Sequence, residues 1–186
     1  PYNIKGGWND QKREDFGSYG VRPLSFEGLR GIIFMPFLHG SQEHLISNSL
    51  PLLILGGFLF FFYREVAWKV LFWVYLMGGL WIWVGARSMT THIGASGVVY
   101  GLAAFLFFSG IIRRHMPLMA ISMLVVFLYG GIIWYIFPIE QGISWEGHLY
   151  GGLAGAVCAW YFRDRGTQRR KYSWDIEEEG SESIEV

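Results

Sequence analysis

Five stretches of this chain are apolar for about as long as a lipid bilayer is thick. They run from about His44 to Tyr63, Ala67 to Ala86, Gly94 to Ile112, Met116 to Pro138 and Gly147 to Phe162. Crossing a hydrocarbon core takes roughly 20 apolar residues of α-helix. Lipid offers no partner to backbone N–H and C=O groups, so each run has to close its own hydrogen bonds as a helix. The third and last runs are near the lower limit, which implies local bilayer thinning or buried ends. Composition agrees. Charged residues make up 16% of the chain, against about 25% in soluble domains, while hydrophobic residues reach 52% and aromatics 18%. The reading is an all-α polytopic membrane protein with five visible spans. Its 186 residues suit one domain. The zero net charge carries no basic bias toward nucleic acid. Cys158 is the lone cysteine, which excludes an intrachain disulfide and suits a small buried filler in a helix.

Three segments follow from this pattern: an N-terminal segment over 1–43, a transmembrane core over 44–163 and a tail over 164–186. The first is mixed and punctuated by glycine. Its apolar piece Gly31 to Leu38 contains Pro36, is too short to span, and reads as interfacial or re-entrant. The chain starts at Pro1 and its first methionine is Met35, so a fragment is expected; no signal-peptide pattern is visible. Arg64 and Lys69 follow the first span, Arg113 and Arg114 the third, and Arg163, Arg165, Arg169, Arg170 and Lys171 the last. If the spans alternate, these loops share one side, which the positive-inside rule makes cytoplasmic. The opposite connections hold only Arg87, apart from the N-terminal segment with Lys5, Lys12, Arg13, Arg22 and Arg30. The tail ends in acidic residues, Asp175 to Glu185, and is expected to be solvated and disordered behind its basic stop-transfer stretch. That basic stretch suits anionic lipid headgroups.

Alternation brings the polar residues together. The first, third and fifth spans all begin on the outer side, with His44 and Asn48, with Ser96, and with His148. Polar groups at that depth face protein or a water-filled cavity. Residues four apart share a helix face, which joins Asn48 to His44 and Tyr100 to Ser96. Gly97 with Gly101 and Gly151 with Gly155 form small-xxx-small pairs that let helix backbones approach closely. If those faces meet, Ser96 and His148 come within hydrogen-bond reach. A serine hydroxyl is a weak nucleophile until a base takes its proton, and neutral imidazole suits that task near pH 7. No Asp or Glu lies inside the spans; Glu146 is nearest, and helical geometry points it elsewhere. A dyad is therefore expected rather than a triad. Tyr100 is placed to stack on His148, and the Ser96 N–H, His44 and Asn48 are candidate donors to an oxyanion. Gly94-Ala95-Ser96-Gly97-Val98 is not a nucleophile elbow, because Val98 stands where that motif needs glycine.

With His39…His44…Asn48, then Gly94-Ala95-Ser96-Gly97-Val98-Val99-Tyr100, then His148…Gly151…Gly155 in this order, the chain resembles the rhomboid family of intramembrane serine proteases, bacterial type, over roughly Gly31 to Phe162. The resemblance implies a rhomboid-like helical bundle, Ser96 as nucleophile and His148 as general base. It implies His44 and Asn48 on the oxyanion side and Tyr100 stacked on His148. The implied substrates are single-pass membrane proteins cut in or near their transmembrane segment, through an acyl-enzyme, with no metal or organic cofactor. A bacterial inner-membrane location follows, with the active site outward and the C-terminus cytoplasmic. Two departures stand. The family core has six spans, so an N-terminal helix is expected upstream of Pro1. Where many members carry a Trp-Arg pair, this chain reads Leu29-Arg30-Gly31.

Other residues get quieter expectations. His39 is expected to hold the first loop by a hydrogen bond, and His92 and His115 to be loop residues on opposite sides. Trp134 and Tyr135 mark a candidate side of substrate access or an aromatic belt. A zinc site from His39, His44, His92 and His148 lacks a His-Glu-x-x-His pattern. A non-catalytic relative that binds membrane clients would be expected to lack the serine or the histidine. A transporter would be expected to carry an intramembrane charge that marks an ion path, and no charge here does so.

Overall fold

The computed structural model describes residues 18–138, 144–166 and 168. Residues 1–17 of the N-terminal segment and nearly all of the tail expected over 164–186 lie outside the described residues, the basic run Arg169 to Lys171 included. Six α-helices are described: α1 Phe26–Phe34, α2 Gln42–Phe62, α3 Ala67–Gly85, α4 Ser96–Arg113, α5 Met116–Tyr129 and α6 Trp145–Tyr161. Short 3₁₀ segments follow α1 (Met35–Phe37) and α5 (Gly130–Ile136). All five expected spans are helical. Of these, α2, α3 and α4 are long and apolar enough to cross a membrane, α5 is apolar but shorter, and α6 has 17 residues.

Helix α4 lies at the centre, packed against α2, α3, α5 and α6, while α6 also rests on α3. The α4–α6 contact is close enough for backbones to touch. A Cβ on Gly151 would fall well inside contact distance of the Gly97 carbonyl, and one on Gly155 inside that of Gly101. Both small-xxx-small pairs thus face each other. At the far end of this seam Arg113 caps the packing. It is buried and is the last residue of the helix, where the sequence put it in the turn after the third span. Its Nε donates to Ser109 Oγ at 2.8 Å, its guanidinium donates to the Phe162 carbonyl at 2.6 Å, and it lies over the fully buried Tyr63 ring. A charge at a helix end has to find carbonyls and a ring when no water reaches it.

Helix α5 packs differently. Ser122, fully buried, shares its one hydroxyl proton among the carbonyls of α4 residues Leu106 and Phe107 and of Leu118 in its own helix, against Gly110. Beyond this pin α5 departs from the expected straight span: at Gly130-Gly131 the α-helix tightens into the 3₁₀ segment. The pair of glycines offers no side chain to hold the helix in register.

The piece expected to be interfacial is helical over α1 and turns through Pro36. It lies on α3, with Trp83 Nε1 donating to the Ser25 carbonyl at 2.8 Å and Tyr75 OH to the Ile33 carbonyl. Phe26, Ile33, Phe34 and Phe37 remain exposed, as suits a helix lying against lipid. Arg30, in the departing Leu29-Arg30-Gly31 stretch, sits over the Tyr19 ring at 4.7 Å.

Candidate functional site

The turn before α4 builds the first half of the site. Gly94 has φ +104°, a conformation that L side chains rarely adopt, and its N–H donates to the Met35 carbonyl at 2.8 Å. A Cβ there would also lie 2.7 Å from His44 Nε2 and 3.5 Å from Asn48 Nδ2. Glycine at 94 is thus required twice, by the turn and by the two side chains that close on it. Ser96 then opens α4 at its N-terminus with no side-chain cap, where the first backbone N–H groups have no intrahelical acceptor.

The glycine seam brings α6 against this turn. His148 Nε2 lies 3.0 Å from Ser96 Oγ, and His148 Nδ1 lies 2.9 Å from the Tyr135 carbonyl in the 3₁₀ segment. A carbonyl only accepts, so Nδ1 carries the proton and Nε2 presents its lone pair to the serine hydroxyl. The Tyr135 carbonyl therefore fixes the tautomer, a task often given to a carboxylate. The Tyr100 ring stacks on His148 with centroids 4.2 Å apart and planes 4° apart. His148 is buried, 7% exposed.

On the other side of Ser96, the Gly40 N–H points to His44 Nδ1 at a long 3.5 Å. This leaves the His44 proton on Nε2, the atom that faces Gly94. Asn48 is buried and spends one amide N–H on the His44 carbonyl at 3.0 Å, which leaves a second donor. His39 makes no well-formed hydrogen bond from its ring among the described residues. The ring stands beside the Phe37 backbone and packs edge-on against His44 at 5.0 Å.

Two apolar cavities flank the pair. One, of about 560 Å³, lies between α4, α5 with its 3₁₀ extension, and α6; Tyr100, His148 and Gly152 line it. The other, of about 510 Å³, lies between α2, α3 and α4 and reaches Asn48, His39 and Ala95. No group of three or more His, Cys, Asp or Glu among the described residues converges as metal ligands would.

Two features escaped the sequence. One is the Tyr135 carbonyl, a backbone atom that no residue type announces. The other is a polar cluster beside the pair. Glu146 does point away from His148, as expected, and meets Arg87 at 2.5 Å. The Glu146 contact holds the Arg87 guanidinium above its ordinary pKa. His92 is in a loop as expected, but it is 2% exposed, between Thr90 Oγ1 at 2.9 Å and Ser144 Oγ at 2.5 Å. Burial lowers its pKa, with Glu146 opposing and Arg87 adding to the effect. The sequence signal was present: His92 stands four residues before Ser96, and Ser144 four before His148. His115 flanks α5 at the far end, as a loop residue.

The helical membrane bundle with this serine–histidine geometry defines a class of integral membrane proteins. The family profile described as the Rhomboid domain matches residues 27–165, and the chain belongs to the rhomboid family. It is 40% identical over 151 residues to uncharacterised proteins of Mycobacterium tuberculosis and Mycobacterium bovis, covering 76% of this chain and 62% of each relative. An uncharacterised protein of Mycobacterium leprae is 34% identical over 157 residues, 80% of this chain and 62% of that protein. The chain thus spans somewhat under two thirds of the length of the curated relatives it matches. No solved structure matches it.

Proposed function

We propose that this chain carries the catalytic core of an intramembrane serine endopeptidase. The observation behind the reading is one imidazole with two commitments: His148 Nδ1 to the Tyr135 carbonyl and Nε2 to Ser96 Oγ. In the proposed reaction Ser96 Oγ attacks the scissile carbonyl while His148 Nε2 takes the hydroxyl proton. The tetrahedral oxyanion accepts hydrogen bonds from His44 Nε2, the free Asn48 amide N–H and the Ser96 N–H. His148 returns its proton to the leaving amine, an acyl-enzyme forms, and water releases it. The substrates are single-pass membrane proteins, cut where their helix unwinds; no metal or organic cofactor takes part. Access runs through the cavity beside α5, the span that carries Trp134 and Tyr135, because that cavity reaches His148 directly. The positive-inside rule supports a reading in which Arg64, Arg114 and Arg163 face the cytoplasmic side of a bacterial inner membrane and the dyad faces the outside.

The test is covalent labelling in detergent by a fluorophosphonate, together with cleavage of a transmembrane substrate. Wild type is expected to do both, and Ser96→Ala and His148→Ala neither, at unchanged expression. Equal labelling of Ser96→Ala, or wild-type cleavage by His148→Ala, sinks the reading.

A further inference from the structure

Ser96 and His148 come from segments far apart in sequence, and their 3.0 Å separation depends on how the heads of α4 and α6 are held. The glycine seam sets the distance between the helix axes. It does not by itself prevent α6 from sliding or turning at its first residues, where Ser144 serves as N-cap without capping the helix by its side chain. The Ser144 hydroxyl is committed elsewhere, to His92 Nδ1.

The hydrogen-bond pattern fixes the direction of that contact. Thr90 Oγ1 donates its only proton to the Arg87 carbonyl at 2.6 Å. It therefore accepts from His92 Nε2, so the Nε2 carries the proton of the neutral imidazole and Nδ1 accepts from Ser144 Oγ–H. The His92 backbone is anchored too, by paired bonds of 2.9 Å with Val21. His92 is thus fixed to the N-terminal segment and to its own loop, and its ring reaches across to α6.

We propose, building on the protease reading, that His92 is a positioning residue that braces the head of the His148 helix, through Ser144, against the loop that carries Ser96. The brace is symmetrical in the chain, one helical turn's worth of residues upstream of each member of the pair. The Arg87–Glu146 ion pair spans the same two segments and is its neighbour. The brace works in the neutral state of His92. A proton on Nδ1 turns that atom into a donor, so the Ser144 hydroxyl has to rotate away and the accepting contact is lost. The groups facing the ring are the Glu146 carboxylate, the Arg87 guanidinium, and the hydroxyls of Thr90 and Ser144, with the Val21 backbone behind. Burial keeps the ring neutral to below the ordinary histidine value of 6.5. The brace therefore holds at neutral pH and loosens only as pH falls past that value.

The experiment measures kcat, KM and the pH profile for a transmembrane substrate with full-length protein in detergent. His92→Ala and Ser144→Ala are each expected to lower kcat about ten- to a hundredfold, with KM nearly unchanged. The double variant should be no worse than either single one, because both break one contact. His92→Asn, whose Oδ1 can accept from Ser144 but cannot titrate, should recover most of the loss and flatten the acid limb of the profile. Wild-type kcat in His92→Ala, losses that multiply, or an Asn variant as poor as Ala would each overturn the proposal. If wild type shows no Ser96-dependent turnover, the protease reading fails separately. The brace is then judged by ¹⁵N-histidine NMR, where both alanine variants must shift the signal of His148 Nε2, the atom that faces Ser96, and an unshifted signal overturns it.

Discussion

The two faces of α4 are built on opposite plans. Against α6 it is closed along its length: glycine backbones touch at 97 and 151 and again at 101 and 155, with Ser96–His148 at one end and Arg113 holding the Phe162 carbonyl at the other. Against α5 its closest contact is around Ser122 and Gly110, with Leu118 and Val125 in the shared core, and beyond Gly130 the partner becomes a 3₁₀ segment beside a cavity of about 560 Å³. The side chains that need a fixed separation come from the closed face. The open face contributes a backbone carbonyl, which orients the histidine without setting its distance from the serine. Precision is thus placed where the packing has no slack, and space for a ligand where it has some.

The largest effect should come from opening the closed face. Gly151→Val forces α6 off the Gly97 carbonyl; overpacking of this kind costs about 1–3 kcal/mol, and a displacement of about 1 Å at the dyad lowers labelling of Ser96 a hundredfold or more. A glycine outside the seam is the control. A Cβ on Gly57 in α2 meets nothing within 4 Å, so Gly57→Ala should label within about twofold of wild type. Equal losses from the two substitutions would mean that the seam does not set the geometry.

Next in size is the ring that holds the imidazole plane. Tyr100→Ala removes a stacked pair worth about 0.5–1.5 kcal/mol, so labelling should fall about two- to tenfold. Tyr100→Phe keeps the ring and its stack on His148 and should stay close to wild type. A Phe variant as slow as Ala would move the work to the hydroxyl.

How much of this was legible depends on which physical layer wrote it. Helix positions were legible because runs of apolar residues of bilayer length have no other way to satisfy their backbones. The meeting of α4 and α6 was legible from Gly97, Gly101, Gly151 and Gly155, whose spacing is a side-chain pattern. The burial of His92 and Arg113 was not, because a polar residue near a span end reads as a loop residue until its partners are known, and those partners are distant in sequence. The Tyr135 carbonyl was illegible in principle. Every residue has a carbonyl, and only the switch to 3₁₀ geometry after Gly130 aims this one at His148. The pin on α5 falls in between: Ser122 is visible as a polar residue in an apolar helix, but its acceptors are backbone atoms, Leu106 and Phe107 across the interface and Leu118 in its own helix. Interhelical bonds of this type average about 0.6 kcal/mol in membranes, so Ser122→Ala should lower unfolding stability in detergent by about that much. Labelling should change less than threefold, because the closed face is untouched.

The smallest effect tests the open face most directly. Tyr135 stands beside the dyad and is 41% exposed, so its proximity invites a catalytic role for the phenol. The geometry assigns the role to the carbonyl, which every substitution except those that disturb the backbone retains. Tyr135→Ala is therefore expected to label within about twofold of wild type. Ile136→Pro leaves the Tyr135 carbonyl in place chemically but pushes residue 135 out of helical backbone geometry, because the ring restricts the residue before it. It should turn that carbonyl away from Nδ1 and slow labelling markedly. A slow alanine variant beside a fast proline variant would reverse the assignment, giving the phenol the role here credited to the backbone.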